Sequence, residues 1–228
     1  MAKFSKIIWE SNENLLINKF IKKFNENLSK RLEKSKRFSF VLTGGKSPIK
    51  LYKRLAKLKN IPWNKVDFFI TDERYVKKTS KYSNINMCKK NLLNKINISN
   101  NQIYNISTKF KSLKINSIKY EKKIKNYFLN KKIKFDMTLL GIGNDGHIAS
   151  LFKNNINKKT TKIVDYIKKK NFSRITLTIN CHNNSKSIYL WVPGKKKLLI
   201  IKKIFNDNKF LFSASYLKKK NSFLFYCN

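Results

Sequence analysis

The chain has 228 residues, enough for one substantial core without forcing a second, and 41% of them are hydrophobic, a globular rather than disordered proportion. No run of 18 apolar residues is present, which excludes a helical membrane span, and residues 1–10 lack the uninterrupted apolar stretch of a secretory signal. The formal charge of +40 comes almost wholly from lysines spread along the chain; together with abundant Asn, Ile, Phe and Tyr this reads as drift in an A/T-rich genome, not as a nucleic-acid-binding stripe, so no specific nucleic-acid partner is expected.

Leu16, Phe20, Phe24, Leu28 and Leu32 recur at helical spacing and predict an amphipathic helix over much of 12–35. Residues 38–43 read as a strand that ends in Gly44-Gly45. A helix is expected after Ser47-Pro48, because serine caps and proline suits the first turn. A second strand follows at 66–71, then a helix at 84–93, a short strand at 103–106 and a long helix at 112–130. Strands are expected at 135–140, 174–179 and 187–192, a helix from Lys195 to about Ile204, and a last strand at 223–226. Strands alternating with helices predict a single-domain α/β fold over 1–228, a layered α/β/α arrangement around a mostly parallel sheet. In such sheets ligands sit beyond the carboxyl ends of the strands. Four of the predicted strands end directly in glycine-rich or charged segments.

The first segment is Thr43-Gly44-Gly45-Lys46-Ser47-Pro48, where glycines let backbone N–H groups approach an anion and a helix start adds a favourable dipole. The second is Thr71-Asp72-Glu73-Arg74-Tyr75, three charges straight after an apolar run. Arg74 is one of only five arginines, with Arg31, Arg37, Arg54 and Arg174, and an arginine where lysine is the default suggests the planar fork that grips phosphate or carboxylate. The third runs from Leu140 to Phe152. Its Gly141, Gly143 and Gly146 mimic a dinucleotide fingerprint, but the motif lies mid-chain and 153–161 lacks the apolar stripe of the helix that should follow. What remains is His147 on a glycine-rich turn beside Asp145, a side chain suited to general-base work near neutral pH. The other histidine, His182, sits in the polar run Cys181-His182-Asn183-Asn184 and is expected in an exposed loop. Arg174 opens a strand, and Pro193-Gly194-Lys195-Lys196-Lys197 follows one. Cys88, Cys181 and Cys227 are odd in number and widely spaced, which argues for incidental thiols in a reducing compartment and against disulfides or zinc. No ligand cluster is visible, so no metal and no cofactor are expected.

Together these segments resemble the 6-phosphogluconolactonases, within the superfamily that also holds glucosamine-6-phosphate deaminases. Thr43–Pro48 fits small residue-Gly-Gly-x-Ser/Thr-Pro, although Lys46 stands where a small hydroxyl residue is usual. Asp72-Glu73-Arg74 followed by Ser83-Asn84 fits a second pattern. Leu140 to Phe152 fits Leu-Gly-x-Gly-x-Asp-Gly-His-x-Ala-Ser-Leu-Phe at every fixed position, with Lys153 where proline often follows. Arg174 to Thr178 fits Arg-x-Thr-Leu-Thr, and Gly194 and Lys197 fit Gly-x-x-Lys.

The resemblance implies a glucosamine-6-phosphate deaminase-like fold and a cytoplasmic enzyme, monomer or homodimer, that hydrolyses 6-phospho-D-glucono-1,5-lactone without a metal. It places His147 as the base on water, Asp145 as its orienting partner, and Arg74 at the developing oxyanion, with Asp72 also in the catalytic set. Gly44, Gly45, Ser47, Arg174 and Lys197 fall on the family's phosphate-binding positions. A deaminase or isomerase of glucosamine 6-phosphate, with Asp72 as base, is the rival within the superfamily, and a basic nucleic-acid-binding protein is the rival from another class. Deaminases carry Asn-Glu-Pro shortly after the histidine, where this chain has Ala149-Ser150-Leu151-Phe152.

Overall fold

The computed structural model describes residues 4–227. Of the segment 1–10, read as carrying no secretory signal, residues 1–3 lie outside the described residues. In chain order the elements are β1 (Lys6–Glu10), α1 (Glu13–Leu32), β2 (Phe38–Leu42), α2 (Ile49–Leu55), β3 (Val66–Ile70), β4 (Asp72–Arg74), α3 (Asn84–Asn91) and β5 (Ile103–Tyr104). They continue with α4 (Leu113–Tyr127), β6 (Met137–Gly141), β7 (Val164–Ile167), β8 (Arg174–Leu177), α5 (Ile179–Asn183), β9 (Ser187–Val192), α6 (Leu198–Phe205) and β10 (Ser222–Cys227).

Seven strands form one sheet in the order β1-β10-β9-β6-β2-β3-β5, and every neighbouring pair is parallel. All-parallel sheets are covered on both faces, so their strands are apolar throughout, and every residue of β2 and β3 is buried. In β9 the two faces separate by parity. Tyr189 and Trp191 join the cluster around Phe20 and Phe24 of α1, while Ile188, Leu190 and Val192 join Ile200, Ile201 and Ile204 of α6. This is the expected layered α/β/α arrangement with its mostly parallel sheet.

Helix α1 carries the larger core because its apolar stripe is long and aromatic. The Phe20 ring lies 5.6 Å from Tyr189, 5.7 Å from Trp191 and 5.7 Å from Phe225, all edge-on. Asn12 starts the helix, its side chain accepting from the amides of Asn14 and Leu15.

Three short strands not foreseen in the sequence matter for function or for the sheet edge: β1, β4 and β7. Strands β4 and β7 flank β8 in a second, antiparallel sheet of order β4-β8-β7. The strand expected at 174–179 therefore belongs to this small sheet, and it stops at Leu177 because the Thr178 hydroxyl caps α5 by accepting from the Cys181 amide. Two further expectations fail. His182 is not in an exposed loop: it lies in α5 and is fully buried, since Ile179 and Cys181 of the same helix pack into the two apolar clusters. Ser47 does not cap the following helix, because Pro48 occupies the cap position and no side chain bonds to the first amides. All three cysteines are free and buried. Among the described residues no helix is long and apolar enough to cross a membrane.

Candidate active site

From β2 the chain moves to β3 and β5 on one side, then returns to β6 on the other and continues outward to β9 and β10. The order thus reverses between β2 and β6, and the crevice at such a reversal is where ligands bind in open α/β sheets. A cleft of about 160 Å³ opens there, lined among others by Gly44, Gly45, Ser47, Asp72, Arg74, His147, Arg174 and Lys197. Of the nine residues singled out from sequence, only Asp145 is not in its lining, and Asp145 touches His147.

The loop after β6 presents the histidine. The Gly143 amide donates to the His147 carbonyl at 2.7 Å, and the Gly146 amide to the Gly143 carbonyl at 3.0 Å, so the backbone folds back on itself. A Cβ at residue 143 would fall 2.3 Å from the His147 ring and 2.8 Å from Asp145 Oδ1, which explains the glycine there. Asp145 Oδ1 contacts His147 Nδ1 and also accepts from the His147 amide at 3.3 Å. With Nδ1 engaged, Nε2 is the ring nitrogen left to exchange a proton. Burial pushes the Asp145 carboxyl up, but its hydrogen bond and charge interaction with His147 outweigh this and hold it below its ordinary value. The Phe152 ring packs against the imidazole at a tilt, with centroids 4.6 Å apart.

The small sheet supplies the charges. In the β4–β8 pairing Asp72 faces Thr176 and Arg74 faces Arg174. Asp72 is buried, with Oδ2 accepting from Ser150 Oγ at 2.6 Å and Oδ1 from Thr71 Oγ1 at 2.9 Å. Arg74 Nη1 donates to the Tyr82 carbonyl at 2.8 Å and to Asn84 Oδ1 at 3.0 Å. Burial lowers the Arg174 pKa and the neighbouring Arg74 does the same, while Asp72 and Asp145 oppose the shift. Its Nε is buried with no hydrogen-bond partner among the described residues. A half-buried guanidinium with one buried, unused donor, paired across the strands with a second arginine, is a site that an anion would stabilise.

The large sheet contributes the remaining walls. Lys197 follows β9, donates its ammonium to the Ile142 carbonyl, and has its pKa lowered by burial. The Thr43 hydroxyl accepts from the Gly141 amide at 3.3 Å and ties the β2 loop to the β6 loop. Gly44 packs so tightly that a Cβ would fall 2.1 Å from the Asn84 side chain. Sequence reasoning did not single out Thr43, Asn84, Ser150 or Phe152 for roles, although all four lie inside the motifs it used. Their signal is three-dimensional: each bridges segments far apart in the chain. Glu73, named in the second segment but given no role there, is buried and accepts from Ser83 Oγ and the amides of Arg74, Asn84 and Ile85, joining β4 to the start of α3. Among the described residues no three His, Cys, Asp or Glu side chains gather where they would hold a metal ion.

The family model described as glucosamine-6-phosphate isomerases/6-phosphogluconolactonase matches residues 11–223. The chain is 31% identical over 191 residues to the 6-phosphogluconolactonase of Thermotoga maritima, covering 82% of this chain and 83% of that one. It is 30% identical over 182 residues to the Nostoc 6-phosphogluconolactonase, covering 78% and 75% of the two chains. The crystal structure of the Thermotoga enzyme superposes with a TM-score of 0.84 at 27% identity, over 97% of this chain and 99% of that one. A monomeric glucosamine-6-phosphate deaminase shares the fold, with a TM-score of 0.82 at 17% identity over 98% and 97% of the chains. With the motifs gathered in one cleft and relatives matched over most of their length, the chain belongs to the glucosamine-6-phosphate isomerase/6-phosphogluconolactonase family, on its lactonase side.

Proposed function

We propose that the cleft hydrolyses 6-phospho-D-glucono-1,5-lactone to 6-phospho-D-gluconate, the hydrolytic step of the oxidative pentose phosphate pathway. One observation carries the reading: the Asp145–His147 pair and the cations Arg74, Arg174 and Lys197 line or border one small cleft beside a glycine loop. A lactone with a phosphate at its far end needs a base at one end and anion donors at the other.

His147 Nε2 takes a proton from water as the water oxygen attacks the lactone carbonyl. The resulting oxyanion is stabilised by Arg74 and by backbone amides at the glycine loops. Collapse breaks the bond from the carbonyl carbon to the ring oxygen, and His147 returns its proton to that oxygen. Asp145 fixes the ring tautomer, and Asp72 places its charge beside Arg174. The phosphate is held by Gly44, Gly45, Ser47, Arg174 and Lys197. The whole chain, 1–228, works as one catalytic domain in the cytoplasm, as a monomer or homodimer; the three buried, free thiols fit a reducing compartment.

A coupled assay with freshly made lactone, following acid release against the spontaneous rate, tests this. Acceleration well above the spontaneous rate is expected. No acceleration, or ammonia release from glucosamine 6-phosphate instead, overturns the assignment.

A further inference from the structure

Asn84 stands at the first position of α3, buried yet in the cleft wall, and its side chain meets three parts of the site. Its Oδ1 accepts from Arg74 Nη1 at 3.0 Å, its Nδ2 donates to the Asp72 carbonyl at 2.8 Å, and it fills the space a Cβ on Gly44 would need. The two protons of Arg74 Nη1 are thereby used, one on Asn84 and one on the Tyr82 carbonyl. Nε and Nη2, which share one edge of the guanidinium, are left to grip a two-oxygen group side-on. The backbone of Asn84 is held separately, its amide donating to Glu73 Oε1 at 2.7 Å. The start of α3 does not depend on the amide side chain, and the contacts of that side chain all lead to the site.

We infer that Asn84 is a positioning residue for the hydrolytic reaction, fixing the Arg74 fork and the Gly44 backbone in register with each other. The inference rests on the lactonase reading and on Arg74 acting at the reacting carbon. In the ground state the lactone carbon carries a neutral carbonyl oxygen beside the ring oxygen, whereas the tetrahedral intermediate adds the incoming hydroxyl next to an oxygen that now bears a full negative charge. A side-on fork held still by Asn84 is complementary to the second state, so losing its anchor lowers kcat more than it raises KM.

The test is a double-mutant cycle in lactone hydrolysis, with thermal unfolding recorded for each variant. Asn84→Ala lowers kcat by about ten- to a hundredfold, with KM changed by less than about threefold. In an Arg74→Ala background the same change costs less than about threefold more, because the anchor has nothing left to hold. Asn84→Ser, smaller but polar, covers the case in which alanine does not fold. Gly44→Ala alone unfolds at lower temperature than wild type, and adding Asn84→Ala restores much of that loss by removing the clash. Wild-type kcat in Asn84→Ala, or full multiplicative losses in the double variant, overturns the positioning role while leaving the lactonase assignment standing. An inactive wild type overturns both.

Discussion

Of the groups around the cleft, Gly44, Gly45 and His147 hang from β2 and β6, strands buried among apolar neighbours, whereas Asp72, Arg74 and Arg174 stand on the short antiparallel strands β4 and β8. The large sheet contributes backbone and a mobile proton; the small sheet contributes fixed charge. Each source suits its task. A proton-transfer group needs reach, which a loop gives, and a hairpin-like ladder holds two arginines at a separation set by strand pairing. Like charges directly opposite in such a ladder are destabilising by some tenths of a kcal/mol or more. The small sheet accepts that strain at Arg74 and Arg174, and a bound anion would relieve it.

The largest expected effect lies on the large sheet. His147→Ala removes the proton carrier but keeps the Gly143 amide to residue 147 carbonyl bond that closes the loop. Steady-state kinetics should show kcat reduced about a hundredfold or more, with an unchanged unfolding temperature. Activity near wild type would take the chemistry away from this loop. The next effect lies on the small sheet. Arg174→Ala deletes a charge-assisted donor worth about 1.5–3 kcal/mol and should raise KM about ten- to a hundredfold, with a smaller change in kcat. If the kcat loss exceeded the KM change, the division between proton carrier and anion grip would fail.

The same division explains what was legible in the sequence. The strands predicted at 38–43, 66–71, 135–140 and 187–192 correspond to β2, β3, β6 and β9, because strands buried on both faces are continuous apolar runs. The charges that follow them marked the cleft. Strand β4 is Asp72-Glu73-Arg74, which no hydropathy pattern identifies as a strand, and its partner β8 lies a hundred residues away. The face-to-face placement of Arg74 and Arg174 is a tertiary fact with no local trace. His182 shows the converse error: polar neighbours suggested exposure, but Ile179 and Cys181 of the same short helix pack into the apolar clusters and carry the imidazole inside with them.

His182 gives the third prediction. Both His182 ring nitrogens are buried with no hydrogen-bond partner among the described residues, and burial pushes its pKa down from 6.5 to about 3. The unfolded chain binds a proton there that the folded chain refuses. The contribution of neutral His182 is complete above about pH 6.5 and is lost as the pH falls toward 3, at up to about 1.4 kcal/mol per pH unit. Urea unfolding of wild type and His182→Leu at pH 7, 6 and 5 isolates the effect, since the carboxylates are common to both. Wild-type stability should fall more steeply with acid than that of the variant. Parallel curves would mean that the imidazole is hydrated or paired.

The smallest effect tests whether the grip on phosphate is a site or merely the field of a chain carrying +40. Lys195, Lys196 and Lys197 are consecutive in one single-turn segment after β9, so a general positive potential would weight them alike. Their surroundings differ. Lys195 and Lys196 are exposed, while Lys197 is partly buried, lines the cleft and donates to the Ile142 carbonyl. An exposed cation acts through water and salt, and its influence fades within about 8 Å at physiological ionic strength. A desolvated ammonium in a cleft is screened far less and has lost hydration that a phosphate replaces. Lys197→Ala should therefore raise KM about tenfold and keep that effect when salt is raised, whereas Lys195→Ala should change KM less than about twofold and lose even that. Equal, salt-sensitive effects at the two positions would make the whole lysine-rich surface, and not the small sheet with Lys197, the source of affinity.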